Sequence, residues 1–107
     1  MHNPNSLMAL VSAVAIALIS LTTAAHADRD SALAALRAEP KIKDLYWSAA
    51  DVLHVGVLDD GSPRKGYAMY VCEVLREHHA ANGVRVRIMD IVAVTDGNWR
   101  SLGEVKC

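Results

Sequence analysis

Alternation of apolar side chains is clearest at Val52–Leu58. Leu53, Val55 and Val57 share one side there, and Val52, His54, Gly56 and Leu58 share the other. Both sides are largely apolar, which predicts a central strand covered on at least one face. A second alternating run, Val84–Val94, starts with Val84, Val86 and Ile88 against Arg85 and Arg87 and then turns apolar on both sides. Asp90 falls in phase with its buried set and is the one irregularity in it. Between the two runs the spacing changes to that of a helix. Tyr67, Val71, Val74, Leu75 and His78 form one row, and Ala68, Cys72, Leu75 and His79 a neighbouring one. Ser62-Pro63 predicts its start and Asn82-Gly83 its end, since Asn and Gly tolerate the left-handed backbone that closes helices.

Strand, helix and strand with short links make a βαβ unit, so the strands are expected to be parallel. Around that unit the pattern is weaker. Asp30 or Ser31 can cap a short helix over Ala32–Glu39, which Pro40 ends. Asp44–Ala50 is ambiguous, and Leu102–Cys107 suits a short third strand. Asp59-Asp60-Gly61 and Asp96-Gly97-Asn98 read as turns. The expected fold is a small two-layer α/β or α+β domain.

Charge divides the chain. None of the 11 basic and 12 acidic residues lies in the first 27 positions. Leu7–Leu21 is apolar apart from Ser12 and Ser20, and Ala25-His26-Ala27 follows it. An apolar run ending in small residues at an A-x-A site predicts a cleaved signal peptide over residues 1–27 and one domain over 28–107. Met1–Ser6 lacks Lys and Arg. Leu7–Ala25 is also long enough to span a bilayer, so a membrane anchor is the alternative to a periplasmic or secreted protein. The net charge of −1 gives no electrostatic case for nucleic acid.

Cys72 and Cys107 are the only two cysteines, and in a small exported domain an even count predicts a disulfide. Three further clusters are candidates for chemistry. Ser62, Arg64, Lys65 and Gly66 form a basic turn at a helix start, where backbone N–H groups can hold an anion, although positive charge is disfavoured there. Asp59, Asp60, Asp90 and Asp96 fall late in or after the two strands, where parallel pairing gathers carboxylates suited to a hard cation. His78 and His79 are adjacent and diverge on a helix, and His54 has no sequence-local ligand partner. Glu73 and Glu77 with Arg76 read as a solvated face. Tyr46, Trp47, Tyr67, Tyr70 and Trp99 are expected to be the bulky part of the core, with a recognition surface as the alternative.

No nucleophile motif or cofactor signature is present, and whether the chain is an enzyme stays open. The expected function is a disulfide-stapled accessory domain that binds another exported or envelope protein. An anion-binding or small-ligand module is the alternative, and a metal-dependent protein the third reading.

Overall fold

The computed structural model describes residues 24–107. Most of the expected leader therefore lies outside the described residues. Residues 24–37 are helical (α1), so the helix runs through Ala25-His26-Ala27 and starts well before the Ser31 cap position. After α1 come the strands β1 (Asp44–Ala49) and β2 (Val52–Val57), the helix α2 (Lys65–Glu77), the strand β3 (Arg85–Asp90), a one-turn helix α3 (Ile91–Thr95) and the strand β4 (Ser101–Lys106). Among the described residues no helix is long and apolar enough to cross a membrane.

The sheet order is β1-β2-β3-β4. β2 and β3 are parallel, as the βαβ unit requires, and each is flanked by an antiparallel edge strand. The result is an α+β domain on a mixed sheet. Register sorts the side chains into two faces, because successive strand residues point to opposite sides. Leu45 opposes Val55, Val55 opposes Ile88, and Val86 opposes Val105. This face is roofed by α1 and α2, and its core joins Leu36, Leu53, Val55, Val71, Leu75 and Val86, all fully buried. Each such aliphatic side chain contributes about 1.5–3 kcal/mol. No aromatic residue is among the fully buried side chains. Trp47 and Tyr67 only pack against the core, while Tyr46, Tyr70 and Trp99 are exposed, so the aromatic core expected from the sequence is replaced by an aliphatic one.

Cys72 lies on the buried side of α2 and is bonded to Cys107, with the Cα atoms 5.5 Å apart. The bond ties α2 to the residue after β4. At the start of α2, the Cβ that any other residue would place at Gly103 lies 2.5 Å from the Lys65 backbone nitrogen. The absence of a side chain there lets the first turn of α2 lie directly on β4.

Several boundaries differ from expectation, each for a local reason. α2 begins at Lys65, after Arg64, with no side-chain cap. Ser62 instead bonds Asp60 through its hydroxyl and its N–H. α2 ends at Glu77 and not at Asn82-Gly83. His79 takes φ 56°, Ala80 N–H bonds Leu75 O at 2.8 Å, and His79 N–H bonds Arg76 O at 3.0 Å. Those two bonds are the Schellman pattern, here built on a histidine instead of a glycine. The run Val84–Val94 is not one strand. Asp90 ends β3 and caps α3, accepting from Val92 N–H at 3.1 Å and Ala93 N–H at 3.3 Å. The irregular phase of Asp90 is the mark of that junction.

Candidate functional site

The face of the sheet turned away from α1 and α2 carries the site. Its rows follow from the register: Asp44, Gly56 and Met89; then Tyr46, His54, Arg87 and Glu104; then Val52, Arg85 and Lys106. α3 and the turn after it cover the first row. Ile91 lies over Gly56, where a Cβ would come within 2.8 Å of its Cδ1. Trp99 meets His54 edge-on, with ring centroids 5.4 Å apart, and Tyr46 at 6.2 Å. Tyr46 and His54 are 6.1 Å apart. Between these groups lies a concave pocket of about 320 Å³, floored by His54, Gly56 and Met89 and walled by Ile91, Val94 and Trp99, with Asp44 at one end. That volume is at the lower end of the range for ligand pockets.

His54 is the polar centre of the floor. Its side chain is 8% exposed, and Nδ1 is buried with no hydrogen-bond partner. Burial, with the neighbouring Arg87 guanidinium second, holds the imidazole below the usual histidine range, so it is neutral at pH 7. Beside it, Arg87 Nε is also buried without a hydrogen-bond partner, 3.6 Å from a Glu104 carboxylate oxygen. Arg85 reaches the same carboxylate at 3.6 Å. Among the described residues no hydroxyl or thiol is hydrogen-bonded to His54 Nδ1. The cluster is an apolar socket with the His54 ring in its floor and Arg87 beside that ring in the next strand.

The clusters singled out in the sequence are placed elsewhere. Arg64 is turned inward, with Nη2 donating to Leu58 O at 3.0 Å and pairing with Asp60 at 3.3 Å. It thereby clamps the turn between β2 and α2. Ser62, though exposed, is engaged by Asp60; Lys65 and Gly66 are the other exposed members of the basic turn. The hydrogen bonds from Ser62 are the main cause that lowers the Asp60 pKa. Of the four aspartates, Asp59 and Asp90 are brought together, but around Arg100, at 3.3 and 3.4 Å. Asp60 faces Arg64, and Asp96 ends α3. Among the described residues no group of three or more His, Cys, Asp or Glu side chains is arranged to hold a metal ion. His78 ends α2 and His79 makes its left-handed turn, so neither joins His54.

Tyr46 and Trp99 stand in the sequence among the aromatics that could form a recognition surface, whereas His54 has no pattern that joins it to them. The available signal was the second face of β2, where His54 and Gly56 alternate with the core residues. No family model, curated protein or solved structure matches the chain.

Proposed function

We propose that this chain is a small exported, disulfide-stapled accessory domain. It acts by binding another exported or envelope protein, through the sheet face that α1 and α2 leave open. The observation that carries the reading is the pocket itself: a preformed apolar socket over a buried His54 with an unpartnered nitrogen. Tyr46, Val92 and Trp99, each more than half exposed, stand close to it in the fold and add apolar surface of the kind enriched at interfaces. The leader-like segment and the cysteine pair support export.

A random peptide library displayed on phage tests the reading. It is panned against the purified domain and against a Tyr46→Ala/Trp99→Ala variant of matched circular dichroism. The expected result is a family of sequences enriched on the first and lost on the second. Enrichment that is equal on both, or none on either, overturns the proposal.

A further inference from the structure

The geometry points to a specific chemistry for the occupant of this face: an extended acidic peptide segment that inserts one large apolar side chain into the pocket and lays its carboxylates along Arg87, Arg85 and Lys106. The inference rests on the binding reading above and adds the class of partner.

Charge along the face has a direction. Asp44 closes the pocket at one end. One row on, Arg87 stands beside His54, and one row further Arg85 pairs in register with Lys106. Three cations thus face one carboxylate, Glu104, which lies 3.6 Å from both arginines and cannot neutralise them all. The Nε of Arg87 and the Nδ1 of His54 are buried without hydrogen-bond partners. Arg85 and Lys106 are exposed, so an incoming carboxylate reaches them directly. An acceptor-rich, negatively charged chain fits that end, and an apolar side chain fits the other.

Spacing follows from strand geometry. Adjacent rows are two residues apart, about 7 Å along an extended chain. An anchor held against Gly56 and Trp99 therefore puts acidic residues two to four positions away over the cationic rows. The Asp44 end repels the same charges, so the segment has one preferred direction. Buffered salt weakens the contact, as for any exposed charge pairing.

Calorimetry on the intact protein with three blocked peptides tests this: Ac-Leu-Gly-Glu-Glu-Glu-NH2 and its Gln₃ and Lys₃ counterparts. The acidic peptide is expected to bind saturably, about tenfold tighter than the glutamine peptide, with the lysine peptide weakest. Arg85→Ala/Arg87→Ala removes that preference without removing the weak binding of the glutamine peptide, and Glu104→Gln strengthens the acidic peptide about threefold. Because Glu104 is exposed, its variant keeps the test valid should the arginine variant fold poorly. Equal affinity for all three peptides overturns the acidic partner while leaving the apolar socket in place. Binding by none of them, or strongest binding by the lysine peptide, overturns the inference. Its failure is separable from failure of the binding reading. Phage enrichment of neutral or basic sequences that needs Tyr46 and Trp99 rejects the charge assignment alone.

Discussion

At the scale of single residues, His54 couples the site to pH. Its folded-state pKa lies below the ordinary 6.5, chiefly through burial. The unfolded chain therefore takes up a proton first as pH falls, and stability declines as pH drops from about 6.5 through the folded value. Well above 6.5 the group is neutral in both states and makes no pH-dependent contribution. Urea denaturation at a series of pH values between 7 and 5 checks the sign, and His54→Gln is expected to flatten the curve over that window. Two glycines make a second comparison. A Cβ at Gly103 meets the backbone of Arg64 and Lys65, whereas one at Gly56 meets the mobile end of the Ile91 side chain. Gly103→Ala is expected to cost about 1–3 kcal/mol, and Gly56→Ala clearly less, because Ile91 can turn aside. Equal losses in denaturant melts would contradict this account.

At the scale of elements, two junctions decide where secondary structure stops. Asp90 both caps α3 and pairs with Arg100. Asp90→Ala is expected to cost about 1–2 kcal/mol, with faster amide exchange at Val92 and Ala93, while Asp90→Asn keeps most of the cap. At the other junction His79 holds the left-handed turn that ends α2. A non-glycine residue there costs about 1–2 kcal/mol, so His79→Gly is expected to raise stability by up to that amount in urea melts. These junctions also show what the sequence made legible. β2, α2 and the start of β3 were readable because Leu53, Val55 and Val57, then Val71, Val74 and Leu75, keep one period for a whole element. The end of β3 was not, since Ile91–Val94 is as apolar as the strand before it and only the cap made by Asp90 separates them. The site was less legible still. Tyr46, His54 and Trp99 lie on three different segments, and only the register of β1 on β2 and the turn after α3 bring them together.

At the scale of the whole molecule, the Cys72–Cys107 bond closes a loop with a sequence separation of 35. In the chain-entropy model that is worth roughly 4 kcal/mol, a large part of the stability of a domain this small. Reduction, or Cys72→Ser/Cys107→Ser, is expected to lower the unfolding free energy by about that much, and calorimetric melts with and without reductant measure it. An unchanged melting temperature would show that α2 and β4 hold together without the bond. The division of the sheet into two faces has one more consequence. Stability rests on the side carrying Leu53, Val55, Val86 and Ile88, while the exposed side chains of Tyr46, Trp99 and Glu104 stand on the other side or beside it. Variation at those three positions is expected to leave folding largely intact. The domain is a scaffold whose open sheet face can be randomised in a library while its hydrophobic interior stays fixed.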